Sequence, residues 1–403
     1  MDKIIAIADC NNFYVSCERL FDPRLNQCPT VVLTNNDGSV ISRSAEAKKL
    51  GIRKGEKFYD IQKLVKKERI RFYSSNYTLY ADISERVFSV FKEKVSRVEI
   101  YSIDEVFLDL SDLDPDRVEE FLLEIKTEVY RRTGIPVSIG AGPTKTLAKL
   151  ANKISKEGRG VYFMRDREKF LKDNLDRFDF DDIWGIGIRS KEKILGLGCQ
   201  NLLDFINYSP SAIRKKLTVT GLRTQMELKG VPCFEVETTF KTRKNISTSR
   251  TFGYSTSDLS QVQKATHFYV QKAAAKLKRE NLLAQSFTLF LCNDRHKEKE
   301  YYSEVFKIKL IRATQDEFEI WSQVQKVLLD NYKPHIRYRK SAVCLTDLIP
   351  IGRFQTLIFE DMVKPIPYVE PIGNEWQMRR SYLSRKYTSN WDDLPTVTRI
   401  EDF

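Results

Sequence analysis

Short β-branched apolar runs alternate, over the first part of the chain, with segments whose apolar residues recur every three or four positions. Residues 3–8, KIIAIA, are unbroken apolar and predict a buried strand that Asp9 closes. In NNFYVSCERLF, Phe13, Cys17, Leu20 and Phe21 fall at helical spacing, with Asn11 or Asn12 as the cap. Val31–Leu33 predict a second strand, ended by the turn signal NDG. RSAEAKKLG predicts a short helix stopped by Gly51. Tyr80, Ile83, Val87, Val90 and Phe91 share one face of a long amphipathic helix, TLYADISERVFSVFKEKV. RVEIYSIDEVFLDL reads as two strands. A helix from Pro115 to Thr133, the strand IPVSIGAG and the helix TKTLAKLANKISK follow. This order predicts an α+β domain on the ferredoxin-like plan, with helices laid against a mixed sheet.

Near residue 180 the pattern changes to short helices joined by glycine turns, in DDIWGIGIRSKEKILGLGCQNLLDF, SAIRKKL and TQMELKGV. EVETTFKTRKNISTSRTFG is basic, rich in Thr and Ser, without apolar periodicity, and reads as a linker. From about 246 to 348 the order strand, helix, strand, strand, helix, strand predicts a second α/β unit. Residues 350–403 hold prolines and isolated aromatics with little period.

Composition narrows the function. The chain has 403 residues and a formal net charge of +12, which favours a polyanionic partner, nucleic acid before membrane. No stretch approaches the roughly 20 apolar residues of a membrane span, and MDKIIAIADC is too short for a signal peptide, so a cytoplasmic protein is expected. Seven cysteines without a CxxC pair argue for a reducing compartment. His267, His296 and His335 are too dispersed for a zinc site, so oxygen ligands around a hard cation are the better expectation.

The acids Asp9, Asp104 and Glu105 supply such oxygens. Neighbours on a regular strand point to opposite faces, so Asp104 and Glu105 serve one site only if the chain turns there. Three converging carboxylates without positive neighbours repel, and divalent cations relieve that repulsion. Two Mg²⁺ ions about 4 Å apart can activate an attacking hydroxyl and stabilise a leaving oxygen. The other reading is a set of solvated strand ends or salt bridges.

ADCNNFYVSCE, SRSAEAKKLG, YSIDEVFLDL and GPTKTLAKLANKISK, in that order, resemble the motifs of the Y-family translesion DNA polymerases, in their UmuC-like branch. The resemblance runs over roughly residues 4–360. It implies a ferredoxin-like palm with small fingers, a helical helix-hairpin-helix thumb and an α/β little finger. The implied bounds are 1–25 and 76–165 for the palm, 26–75 for the fingers, 166–238 for the thumb, 239–349 for the little finger and 350–403 for a tail. The implied activity is error-prone, template-directed addition of dNTPs to a primer 3′-OH with two Mg²⁺ ions, in SOS-type damage tolerance. Asp9, Asp104 and Glu105 match the metal-holding acids, with the Cys10 carbonyl as a further ligand. Tyr14 matches the steric gate under the incoming sugar, beside Phe13, which reads as the core residue of the two. Ser42, Lys48 and Lys156 match triphosphate contacts. Two positions depart from the family: Ala45 replaces a common tyrosine, and Lys48 replaces an arginine and so loses its bidentate fork. Asn11 stands where relatives often carry Asp and is not counted as a ligand. The short fingers imply loose closure and low fidelity.

In WGIGIRSKEKILGLG, the Gly185-x-Gly187 turn would offer backbone N–H groups to a phosphate, with Lys191 and Lys193 nearby. Residues 240–350 carry 20 Lys and Arg against 11 Asp and Glu, which suits a duplex backbone. Lys241, Arg243, Lys244 and Arg250 are expected along the DNA, or else in a flexible tether. RFQTLIFED resembles a sliding-clamp motif, with Gln355, Leu357, Ile358 and Phe359 filling a pocket. Primer-template DNA, the clamp, a UmuD-like dimer and RecA are the implied partners. The rival reading is a non-catalytic DNA-binding protein on the same scaffold.

Overall fold

The computed structural model describes residues 3–34, 37–238 and 243–353. The clamp-like residues 355–359 and the tail with Trp376 and Trp391 lie outside them, as does Lys241. Among the described residues no helix is long and apolar enough to cross a membrane.

The chain begins with β1 (Ile5–Cys10) and α1 (Phe13–Arg19). Asn12 sits at the helix start with φ 50° and makes no side-chain cap. Next come β2 (Thr30–Leu33), β3 (Val40–Arg43), α2 (Ala45–Lys49), α3 (Phe58–Lys67) and β4 (Arg71–Ser74). These three strands form a small sheet, β3-β2-β4, whose core joins Val31, Leu33 and Val40 to Phe58, Ile61 and Val65 of α3. The palm resumes with α4 (Tyr77–Lys94), β5 (Val98–Ile100), β6 (Glu105–Asp109), α5 (Val118–Thr133), β7 (Val137–Gly142), α6 (Lys145–Ser155) and β8 (Val161–Phe163).

The palm sheet has the order β5-β6-β1-β7-β8. Its β1–α4–β5–β6–α5–β7 path is the expected ferredoxin-like unit, with β8 added in parallel beside β7. Alternation along β1 assigns its two faces. Ala6, Ala8 and Cys10 join the large core under α4 and α5, while Ile5 and Ile7 pack with Phe107 and Ala148 on the α6 side. Each fully buried Leu, Ile or Phe in these layers contributes about 1.5–3 kcal/mol.

A helical segment follows: α7 (Arg167–Asn174), α8 (Ile188–Leu195), α9 (Leu202–Asn207) and α10 (Pro210–Leu228), the last interrupted at Thr218 (φ 66°). Among the described residues, the elements up to residue 238 form the first compact unit.

The second unit contains β9 (Asn245–Thr256), α11 (Leu259–Arg279), β10 (Leu282–Asn293), β11 (Ser303–Thr314), α12 (Glu317–Asn331) and β12 (Tyr338–Pro350). Its sheet, β11-β10-β12-β9, is antiparallel throughout. The linker expectation is corrected here: Asn245 onward is a strand, not a tether. Its inward positions are Ile246, Thr248, Arg250 and Phe252, and the two polar members hide the period from hydropathy.

Candidate active site

Antiparallel register sets Asp9 directly opposite Glu105, and opposed residues share a face of the sheet. By alternation from Ile5 and Ile7, that is the face covered by α6. Asp104 reaches the same site because the chain bends just before β6. The N–H groups of Tyr101 and Ser102 both donate to the Glu105 carbonyl at 3.1 Å. The Ser102 hydroxyl donates to Asp104 Oδ1 at 2.6 Å and accepts from the N–H groups of Asp104 and Glu105 at 3.2 and 3.1 Å. The Cys10 N–H donates to the Asp104 carbonyl at 2.8 Å, joining the bend to the end of β1.

Helix α6 then brings cations to these acids. Gly140 permits the approach: a Cβ there would lie 2.0 Å from the Asn152 backbone nitrogen. The Asn152 amide donates to the carbonyls of Ser138 (2.6 Å) and Ile7 (3.3 Å), fixing the helix on the sheet. Positions 145, 149, 152 and 156 share one helical face. Lys149 Nζ contacts Glu105 Oε1 at 2.6 Å, and Lys156 Nζ contacts Asp9 Oδ1 at 2.7 Å. Packing of α6 therefore supplies two lysines to these acids. Burial still raises the Asp9 carboxyl above its ordinary value, with Lys156 opposing and Glu105 and Asp104 adding. Among the described residues no three His, Cys, Asp or Glu side chains are grouped as a metal-binding cluster. Burial pushes the Cys10 thiol well up, so it stays neutral and leaves the backbone oxygen as its only strong donor.

A chain of contacts ties this corner to the helical segment. Lys149 lies 4.7 Å from the Tyr101 ring centre, and the Trp184 indole donates to the Tyr101 hydroxyl at 2.9 Å. Trp184 precedes Gly185, whose φ of 86° suits glycine.

Tyr14 is half-buried and stacks on Tyr80, with ring centres 4.5 Å apart, while Tyr77 meets its edge at 5.9 Å. The Tyr80 hydroxyl donates to the buried Glu18 at 2.7 Å, which holds that platform. Burial, Tyr77 and Asp104 push the Tyr14 hydroxyl up to about 12. Phe13 lies in the core. The Ser42 hydroxyl donates to the Asn12 carbonyl at 3.3 Å. Lys48 is exposed on α2, and partial desolvation, Arg43 and Lys156 together lower its pKa.

The expected phosphate contacts are placed less uniformly. Gly187 is the N-cap of α8 and Lys193 is exposed, but Lys191 pairs with Asp179 and Asp181, both at 2.7 Å. Lys244 is exposed, and Arg243 pairs with Glu280 at 3.0 Å. Arg250 is on the helix-covered face, where its charge acts on Tyr269. The opposite face of that sheet carries Lys307, Lys309 and Lys340 among Ser247, Ser249, Thr251 and Thr288, by alternation and register. None of these seven was singled out in the sequence, where lysines are too common to rank individually. Lys149 had a signal in the heptad-like spacing of Lys145, Lys149, Asn152 and Lys156.

The impB/mucB/samB family model matches residues 8–153, and the model of that family's C-terminal domain matches 243–357. UmuC of Salmonella typhimurium is 35% identical, over 98% of this chain and all of its own length. The chain belongs to the impB/mucB/samB family, as a UmuC-like Y-family polymerase. ImpB of Salmonella typhimurium is 34% identical to the UmuC-like chain, over 97% of this sequence and 99% of its own. A Dbh-based Y-family DNA polymerase chimera shares the UmuC-like fold, with a TM-score of 0.67 and 22% identity, over 86% of this chain and 99% of the other. A domain of unknown function (DUF4113) matches residues 368–397.

Proposed function

We propose that this polymerase extends a primer 3′-OH by template-directed addition of dNTPs across damaged DNA, using two divalent cations at the Asp9, Asp104 and Glu105 corner. The observation that carries the reading is the register of Asp9 opposite Glu105, with the bend at Ser102 bringing Asp104 beside them. The donor set is hard oxygen, which suits Mg²⁺. Asp9 is a half-buried carboxylate whose pKa is raised by desolvation first and by Glu105 and Asp104 in addition, a cost that a bound cation offsets. Bound there, such cations lower the pKa of the attacking hydroxyl and stabilise charge on the leaving phosphates.

The chain's own residues do the rest. Asp9, Asp104 and Glu105 would hold the cations, and with those carboxylates so engaged Lys156 and Lys149 would be free to meet phosphate charge. Lys48 and Ser42 hold the triphosphate from the β3–α2 side. Tyr14, fixed by Tyr80 and Tyr77, lies under the sugar and excludes a 2′-OH. The open sheet face with Lys307, Lys309 and Lys340 follows the duplex backbone, and the Gly185–Gly187 turn with Lys193 takes a further phosphate. The palm, fingers, thumb and little finger follow the bounds given above. A sliding clamp at Gln355, Leu357, Ile358 and Phe359, a UmuD-like dimer and RecA belong to the same reading, within an SOS-type response.

Primer extension on an undamaged template tests it, comparing wild type with Asp104→Ala plus Glu105→Ala, each with and without a UmuD-like dimer and RecA filaments. Extension by the wild type alone supports the assignment. No extension by either protein, even with the activators, leaves the non-catalytic scaffold.

A further inference from the structure

Arg43 is the last residue of β3, paired in register with Val31 and one position beyond Ser42. Its Nε and Nη1 are buried, and among the described residues they meet no hydrogen-bond partner. Two buried guanidinium nitrogens without an acceptor are costly, more so beside other cations. The acid of the neighbouring helix does not relieve it: Glu46 of α2 is engaged by Arg19 at 2.9 Å. The nearby charges that act on Lys48 are Arg43, Lys156 and, in the opposite sense, Asp9. Three cations therefore crowd one end of the active-site corner with one carboxylate against them, and that carboxylate is held by Lys156. An anion carrying several charges is what this arrangement lacks.

We propose that Arg43 is a specificity-determining contact to the triphosphate of the incoming nucleotide, supplying the planar two-point donor that Lys48 does not. The inference rests on the polymerase reading above and extends it to a residue of SRSAEAKKLG to which the resemblance assigns no contact. An ammonium at position 48 gives a point charge, whereas a guanidinium offers paired N–H groups matched to phosphate oxygens. Arg43 thus replaces, from the strand, the fork lost from the helix. The triphosphate is favoured over a DNA phosphate because Arg43 shares its cluster with Lys48 and Lys156, beside Asp9.

Full-length wild type, Arg43→Ala and Arg43→Lys are compared in three measurements, with thermal melts as the folding control and Lys172→Ala, an exposed lysine of α7, as the control for net charge. These are calorimetric binding of inorganic tripolyphosphate without metal or DNA, KM and kcat for dNTP in primer extension, and Kd for primer-template. Arg43→Ala is expected to weaken tripolyphosphate binding and raise the dNTP KM, each by about 10-fold, with the DNA Kd unchanged. Arg43→Lys falls between, because charge is kept and the fork is lost. An unchanged dNTP KM overturns the assignment, whether the DNA Kd or the melting temperature moves instead. Tripolyphosphate binding equal in all proteins also overturns it. If the wild type extends no primer even with the UmuD-like dimer and RecA filaments, but Arg43→Ala still loses tripolyphosphate binding, the polymerase reading fails and the anion contact stands.

Discussion

The two large sheets of this protein are covered differently. The palm sheet has α4 and α5 on one face and α6 on the other. The β11-β10-β12-β9 sheet packs α11 and α12 on one face and leaves Ser247, Ser249, Thr251, Lys307 and Lys309 exposed on the other. A covered sheet face cannot carry a bare charge, so each acid of the site has a partner: Lys156 for Asp9, Lys149 for Glu105, Ser102 for Asp104. An open face carries lysines in water at little cost. Chemistry that needs fixed charge geometry is housed in the first environment, and sequence-independent grip on a polyanion suits the second.

That contrast is broken most severely at Gly140. Gly140→Ala sets a Cβ against the Asn152 backbone and forces α6 away from the palm sheet. It is expected to destabilise the first unit by about 1–3 kcal/mol or more, seen in denaturant melts, and to cost activity because Lys149 and Lys156 move with the helix. The opposite face of the comparison is tested by Lys307→Ala plus Lys309→Ala. This pair should leave stability unchanged, weaken primer-template binding on every sequence, and reduce the slope of log Kd against log salt by roughly 2. Arg250→Ala, on the covered face, should lower stability and leave that slope alone. A smaller effect distinguishes the covered side of the second unit. His267 is buried against Trp321, with Glu317 3.4 Å away, and burial lowers its pKa below 6.5. The unfolded chain therefore binds the proton first, and stability declines as pH falls from 6.5 toward the folded value, then levels. Urea midpoints between about pH 7.5 and 5.5 should show this slope in wild type and lose it in His267→Gln.

Legibility in the sequence follows the same division. The palm was readable because its first strand opens on an unbroken apolar run and its acids sit at strand ends within long motifs. The fold expected from KIIAIA at 3–8, the TLYADISERVFSVFKEKV helix and the YSIDEVF strand pair is the one found, with the first strand running two residues further, to Cys10. What sequence alone missed were partners made by packing: Lys149 on Glu105, Asn152 on Ile7 and Trp184 on Tyr101. The α3 helix went unread because Phe58, Ile61 and Val65 are diluted by charged neighbours. The second unit showed its strands and helices, but strand register sorts its cations by face, and register is not written in composition. Arg250 and Lys307 look alike in the sequence and lie on opposite faces of one sheet.

The central claim is that the Asp9, Asp104 and Glu105 corner performs nucleotidyl transfer. Single-turnover dNTP incorporation by Asp9→Asn, at saturating primer-template and dNTP with Mg²⁺, tests it most directly. The account predicts a rate at least about 1,000-fold below wild type, with the Kd for DNA unchanged and the fold intact. Incorporation within a few-fold of wild type would contradict it and move the reaction away from these carboxylates.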